Sequence, residues 1–525
     1  MYIRVVVAVA LVVLAGSGML GPGRLQPASA QGGPEILVPG LDVRPVVSGL
    51  VTPTSMAFLP SGDFLVLEKN TGKVQVVRDG AVAGTALDLA VNNASERGLL
   101  GIALHPSFPA DPGVYLFWTC QATPPPADNP FFPVATECPD TPALGSDTDN
   151  VLAVPLLGNR VDRFEWDPAT STLSFDHNLV TLLAFQNDGA PTPPGQGDSA
   201  QPPRGNHDAG VITFGPDGKL YVLFGDVGRR GQLQNLPCGP TAPTCPGTPT
   251  PDDQFGGPQP DDAHFTGVVL RLNPDGTAPA DNPFHAVGAS MGGEVGENLQ
   301  MIFSYGIRNS FGMAFDPVSG QLWTQENGED AYDELNRVLP GQNSGWIQIA
   351  GPVARIAEYK GIETTSLHHE DFPNLQQFRW GPERIADSPA EALTRLFMLP
   401  GAEYSDPEFS WKHVLAPAAI GFMGGRGLGP QYEGDLFVGF SVPEPLGGPL
   451  FHFNLTGNRR AIGVDDPRLE DRVADNVDFH DMTESESLLI GQSFGIVTDI
   501  ETSPDGSLYV VSLDQSTVYE VFRAK

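Results

Sequence analysis

Apolar and polar residues alternate along this chain in short runs, and one pattern recurs six times. An apolar run meets a turn rich in Pro, Asp, Ser or Gly, and a second apolar run leaves it. The phrase reads MAFLPSGDFLVLEK from Met56, GIALHPSFPADPGVYLFW from Gly101, VITFGPDGKLYVLFGD from Val211 and MAFDPVSGQLWTQENG from Met313. A looser copy, IGFMGGRGLGPQYEGDLFVGF, starts at Ile420, and the last, IETSPDGSLYVVS, at Ile500. Alternation on both sides of a short glycine turn specifies a β-hairpin. Six copies about 45 to 110 residues apart predict an all-β fold, a six-bladed β-propeller of four-stranded antiparallel blades with long loops between strands. One blade is too small to bury its own face, so 31–525 is expected to be a single propeller domain. The strand near Leu41 to Val47 should pair with C-terminal strands and close the ring, since closure removes exposed edges.

The extra length between phrases falls at Cys120 to Asn150, Gln186 to Arg204, Pro237 to Ala263, Pro352 to Trp411 and Asp465 to Gln492. These segments are rich in Pro, Asp, Gly and Thr with little periodicity, which predicts loops. They are either surface ornament or the walls of a pocket at one mouth of the channel. A helix is expected within Pro389 to Met398, where Ala and Leu are suitably spaced.

Composition supports this reading and adds a compartment. Gly at 61 and Pro at 51 suit many short strands joined by turns. Residues 1–30 begin with a positive start and an apolar run from Val5 to Ala15, and they end in Ala28-Ser29-Ala30. That is the pattern of a cleaved secretory signal peptide, too short for a membrane span. The expectation is a secreted or periplasmic protein with no membrane span in the mature chain. Removing 1–30 deletes Arg4 and Arg24 and no acid, so the formal charge moves from -34 to -36. Such a surface repels nucleic acid, which is excluded as a partner, and it suits cations such as calcium. Export frames the four cysteines as disulfides. Local bridges Cys120–Cys138 and Cys238–Cys245 are favoured because each would staple a Pro-rich segment.

The third phrase carries the sharpest chemical signal. His207 enters the first strand of its hairpin and Asp226 leaves the second, so antiparallel pairing brings both to one end of the blade. A His held by a carboxylate is a general base of fixed tautomer; the same two residues also serve commonly as loop hydrogen-bonders. Arg308, in Tyr305 to Gly312, offers a planar fork for carboxylate or quinone oxygens. The acidic stretch Glu326 to Asn336 offers the hard oxygen ligands calcium prefers, or else forms a solvated turn.

Longer strings then carry a resemblance. GLLGIALHPSF, NHDAGVITFGPDGKLYVLFGD, LRLNPDGTAPADNPF, YGIRNSFGMAFDP, ENGEDAYDELN and LAPAAIGF stand in this order. Together they resemble the blade signatures of the glucose/sorbosone dehydrogenase family, the soluble sugar dehydrogenases dependent on pyrroloquinoline quinone (PQQ), from about Pro45 to Val521. The resemblance implies oxidation of an aldose at its anomeric carbon, with PQQ and calcium as cofactors and an external electron acceptor as partner. It places His207 as base and Asp226 behind it, and sets Glu96, Arg308 and Asn309 beside the quinone. It puts the backbone oxygens of Gly328 and Glu329 on the quinone's calcium and Glu334 on a second, structural calcium. The chain departs from the glucose-oxidising members at three positions, where Gly424, Ile496 and Thr498 replace a Lys and two Arg. Three cationic partners of a tricarboxylate are thereby absent, with Arg426 nearby as a candidate substitute.

Three functions follow from these residues: a quinoprotein aldose dehydrogenase, a non-catalytic propeller that binds a glycan or protein, and a calcium-dependent hydrolase of the six-bladed lactonase type. The retained His, Asp and Arg-Asn favour the first, and the absent cations favour the second. The third has no matching motif. A nicotinamide enzyme is excluded by the lack of a Gly-x-Gly-x-x-Gly turn in a βαβ context.

Overall fold

The computed structural model describes residues 33–121, 138–150, 153–155, 157–184, 206–227, 265–365, 385–442 and 447–524. The expected leader, residues 1–30, and the Cys238–Cys245 pair lie outside the described residues. The chain is all-β at its centre, with six sheets arranged as a propeller. Each of the six phrases forms the first hairpin of one sheet. The leading strands are Pro53–Phe58, Leu99–Leu104, Val211–Phe214, Met313–Phe315, Pro417–Phe422 and Val497–Thr502. Each of these strands touches the leading strand of the next sheet, and the last touches the first, so the ring is closed.

Packing between sheets explains the ring. Buried apolar clusters lie between successive sheets; one joins Met56, Phe64 and Val66 of the first sheet to Val511 and Val518 of the sixth. Another joins Phe117 of the second sheet to Val222 and Phe224 of the third. A sheet removed from its neighbours would expose both apolar faces, at about 25 cal/mol per Å² of apolar area returned to water.

The N-terminal strand behaves as expected. Leu41–Ser48 pairs antiparallel with Thr517–Arg523, from Leu41 opposite Arg523 to Ser48 opposite Thr517. The sixth sheet is therefore three C-terminal strands and one N-terminal strand. Asp499 ties the leading strand of the sixth sheet to that of the first. Its Oδ2 accepts from Met56 N at 2.8 Å and Ser55 Oγ at 2.9 Å, across from the sixth sheet to the first.

The four-strand expectation broadly fits, with short strands added in three sheets. The first, second and sixth hold four strands, whereas the third, fourth and fifth hold six, five and six. The added strands are two or three residues long, such as Gln342–Asn343, Glu403–Tyr404 and Val473–Ala474. Glu403–Tyr404 and Val473–Ala474 come from long connecting segments, and the added strands satisfy backbone groups at the sheet edges. The expected helix is present as Pro389–Arg395, with Ser388 accepting from Glu391 N and Pro at its start. Among the described residues, three α-helices were not legible: His285–Met291, Gly293–Met301 and Ile356–Thr365. The first two are short and carry one and two glycines, and the third lies in a segment whose composition predicts a loop. The Cys120–Cys138 disulfide is formed. No described helix is long and apolar enough to cross a membrane.

Asp499 yields a test of closure. Burial raises its pKa to about 6, against the opposing hydrogen bonds from Met56, Ser55 and Ile500. The unfolded carboxylate titrates near 4, so folded protein holds this proton more tightly. Its contribution is full below about pH 4 and is lost as pH rises through about 6. Urea unfolding should find Asp499→Ala destabilised by about 1–3 kcal/mol at pH 4.5, with a smaller difference at pH 8. A difference that grows with pH would contradict this.

Candidate functional site

The site is built at one end of the third sheet. Val211 pairs with Leu223, so residues just before the first strand meet those just after the second. Gly225 is required there, because a Cβ would stand 2.3 Å from the His207 carbonyl oxygen. His207 itself has φ +61° and Val227 φ +54°, a left-handed conformation that non-glycine residues adopt at some cost in strain. The bent backbone turns the imidazole onto Asp226, with Nδ1 2.5 Å from Oδ1. A neutral ring that donates from Nδ1 to this carboxylate keeps Nε2 as its basic nitrogen. The second Asp226 oxygen accepts from the indole Nε1 of Trp346 at 3.0 Å.

Neighbouring segments complete one network. Glu96, in the lead-in to the second sheet, accepts from His207 N at 2.5 Å and from Asn309 Nδ2 at 3.3 Å. Arg308 follows the fourth strand of the third sheet, and its carbonyl accepts from Asp226 N at 2.8 Å. Its guanidinium donates to Glu329 Oε2 through Nε at 3.1 Å and Nη2 at 2.5 Å, and to the Asn327 carbonyl through Nη1 at 3.0 Å. The structure thus joins His207, Asp226, Glu96, Arg308 and Asn309, with Glu329 attached through Arg308. Gly328 donates to Asp333 Oδ1 at 2.8 Å. Glu334 lies in Ala331–Val338, accepting from Gly351 N at 2.6 Å and Asn336 Nδ2 at 2.8 Å. A small cleft has Arg308, Glu326, Gly328, Glu334 and Trp346 in its wall. A larger groove, about 620 Å³, lies near Asn454, Ile462 and Asp465 and shares no residue with this network.

Buried charge dominates the electrostatics. Burial pushes Glu326 well above the ordinary carboxylate range, and Glu334 adds to it. Burial likewise raises Glu334 to about 7 and Asp333 to about 6. Glu96 is raised by burial against the pull of His207. Burial opposes the Arg308 charge, but Glu329 and Asp226 outweigh it and raise the guanidinium further. Beneath Glu96 lies a second set of charges that sequence reading missed: Lys69, Arg97 and Asp208, all buried. Burial lowers Lys69 to about 8 and Arg97 to about 10, opposed by Glu96 and Asp208 for Lys69 and by Asp208 for Arg97. Asp208 adjoins His207, and Lys69 ends the first phrase, so the signal was a charge at an apolar strand end.

The donor chemistry suits a cofactor in part. Asn309 Oδ1 is buried without a hydrogen-bond partner, an acceptor that a bound group could satisfy. A Cβ on Gly328 would stand 2.2 Å from the Ala331 carbonyl oxygen, so glycine leaves a cradle of backbone oxygens there. Hard oxygens and buried carboxylates fit calcium. Among the described residues no three His, Cys, Asp or Glu side chains form a metal cluster, so backbone oxygens would have to contribute. The cationic gap stands: Gly424 N donates to Thr502 Oγ1, Thr498 Oγ1 donates to the Pro53 carbonyl, and Ile496 is half-buried. Arg426 does not fill it, being turned to solvent against Glu433 at 2.6 Å.

The sequence pattern of the family described as glucose/sorbosone dehydrogenase matches residues 50–130 and 248–388. The chain is similar to the glucose/sorbosone dehydrogenase family over these two segments, which together make up less than half of it. It is 30% identical to quinoprotein glucose dehydrogenase B of Acinetobacter calcoaceticus, over 59% of this chain and 53% of that one. The alignment therefore spans about half of that relative. An uncharacterized Synechocystis protein, slr1608, is 26% identical over 90% of this chain and 84% of its own length. In fold, the chain is similar to the soluble aldose sugar dehydrogenase of Escherichia coli, crystallised in its apo-form. That likeness has a TM-score of 0.55 at 21% identity and covers 92% of this chain and 100% of that one.

Lys69 gives a stability test. Unfolded lysine titrates near 10.4 and the folded one near 8. Below about pH 8 both states are protonated and the cost of burying the charge is full; between about 8 and 10 the unfolded state binds more protons, so stability rises with pH. Lys69→Met should therefore gain stability over wild type at pH 7, by up to about 3 kcal/mol, and the gain should fade by pH 10. A gain independent of pH would contradict the assignment.

Proposed function

We propose that the chain is an exported quinoprotein that oxidises an aldose at its anomeric carbon and passes the electrons to an external acceptor. Each of the six sheets is read as one blade, giving a six-bladed propeller over residues 31–525 behind a signal peptide at 1–30, in a secreted or periplasmic protein. The observation that carries the proposal is the His207–Asp226 pair, joined through Glu96 and the backbone of Arg308 to Asn309.

PQQ with calcium, when bound, supplies the hydride acceptor. The protein's part is proton transfer, orientation and charge. His207 Nε2 takes the proton of the anomeric hydroxyl, and Asp226 holds the ring and stabilises the imidazolium that forms. Arg308 and Asn309 orient the quinone edge by hydrogen bonding, and Glu96 fixes both His207 and Asn309 from the opposite side. Gly328 and Glu329 hold calcium through backbone oxygens, and Glu334 holds a second, structural calcium.

A second reading is a propeller that binds a glycan or protein without redox chemistry. It is favoured by the Arg308–Glu329 pair, which already occupies the guanidinium, and by the uncharged positions 424, 496 and 498.

The test is reconstitution of mature protein with PQQ and calcium, followed by dye reduction across a panel of aldoses. Turnover with at least one aldose is expected, and chelation of calcium should abolish it. His207→Ala should lower kcat by about 10²–10⁴-fold with folding preserved. No turnover with any aldose, alongside no binding of PQQ at micromolar levels, would hand the site to the second reading.

A further inference from the structure

Trp346 touches both halves of the site and lies in none of the strings that carry the resemblance. It follows Gln342–Asn343, the short strand that pairs parallel with the end of Ile302–Tyr305, Asn343 opposite Tyr305. Trp346 N donates to the Gly306 carbonyl at 3.0 Å, and Gly345 N donates to Asn343 Oδ1 at 3.0 Å. The added strand thus fixes the residue from behind, and only 3% of it is exposed. From there the indole reaches forward in two directions. Its Nε1 donates to Asp226 Oδ2 at 3.0 Å, and its ring lies under the Arg308 guanidinium, 5.5 Å from centroid to Cζ.

These contacts divide the labour of one side chain. The carboxylate of Asp226 has two oxygens, one 2.5 Å from His207 Nδ1 and the other on the indole. A carboxylate pinned at both oxygens cannot rotate away from the imidazole. A buried oxygen deprived of its donor would also bear a desolvation cost. The π face, meanwhile, offers the guanidinium a planar surface of negative potential, so Arg308 stays extended beside Glu329 and Asn327. The indole edge therefore serves the base and the indole face serves the cation.

We infer that Trp346 is a positioning residue of this site, its N–H fixing the Asp226–His207 pair and its ring fixing Arg308. The inference about turnover rests on the aldose dehydrogenase reading, whereas the hydrogen-bond arm of the test does not. Two substitutions separate the two contacts. Trp346→Phe keeps a ring and loses the donor; Trp346→Leu loses both.

In cofactor-free protein, proton NMR should show a downfield imidazole signal from the His207–Asp226 bond, identified by its loss in Asp226→Asn. In Trp346→Phe that signal should shift or broaden while the melting temperature stays near that of wild type. With PQQ and calcium, the Phe variant should lose about tenfold in kcat, with the sugar KM and PQQ affinity nearly unchanged. The Leu variant should also bind PQQ about tenfold more weakly by direct titration. An unshifted imidazole signal and wild-type kcat in Trp346→Phe would overturn the inference. So would equal losses of affinity and kcat in both variants that follow a fall in melting temperature. If wild type shows no turnover, the proposed function fails and the imidazole signal still decides on Trp346. If neither variant folds, the Trp346 indole N–H resonance decides, moving in Asp226→Asn if the bond is real and staying fixed if it is not.

Discussion

Everything in this molecule depends on one antiparallel pairing, that of Leu41–Ser48 with Thr517–Arg523. Without it the sixth sheet has three strands, its outer edge is open, and the chain ends are free to part. With it, six apolar interfaces are held at once, and the ends of six leading strands are forced toward one axis. A closed ring is what allows residues as distant as Glu96, His207 and Asn309 to meet through single hydrogen bonds. Asp499 adds a polar clasp between the sixth sheet and Met56 and Ser55 of the first.

The ring also concentrates charge at its mouth, and the protein manages that by pairing each cation with acids. Arg308 has Glu329, while Arg97 and Lys69 face Asp208 and Glu96. The acids outnumber the cations, so burial raises Glu326, Glu334 and Asp333. Such a surplus suits a divalent cation and works against a tricarboxylate. A calcium ion would therefore find oxygen donors here, whereas a quinone would meet Arg308 with uncharged residues at Gly424, Ile496 and Thr498. In this setting calcium would have to be bound for the quinone's charge to be tolerated.

The central hairpins were legible because each phrase couples alternation to a Pro, Asp or Gly turn, which fixes register within a few residues. The meeting of His207 and Asp226 follows from that register alone. Trp346 was not legible, since its position depends on a two-residue parallel strand added to an edge, a pairing with no local signature. Lys69, Arg97 and Asp208 were hidden for another reason: each stands at a strand end where charges are usually solvated, and only the approach of three sheets buries them together. The helix Ile356–Thr365 looked like loop by composition. In the fold its Glu363 accepts from Asp330 N and Ala331 N, both at 3.1 Å, and so anchors the acidic loop beside Arg308.

Under the proposed function, the His207–Asp226 and Arg308–Asn309 pairs line one quinone pocket. A crystal structure of the protein grown with PQQ and calcium tests it most directly. Electron density for the quinone is expected between His207 and Arg308, with calcium against the backbone oxygens of Gly328 and Glu329. A quinone bound elsewhere on the molecule, or an ordered pocket holding neither group with Arg308 still closed on Glu329, would contradict it.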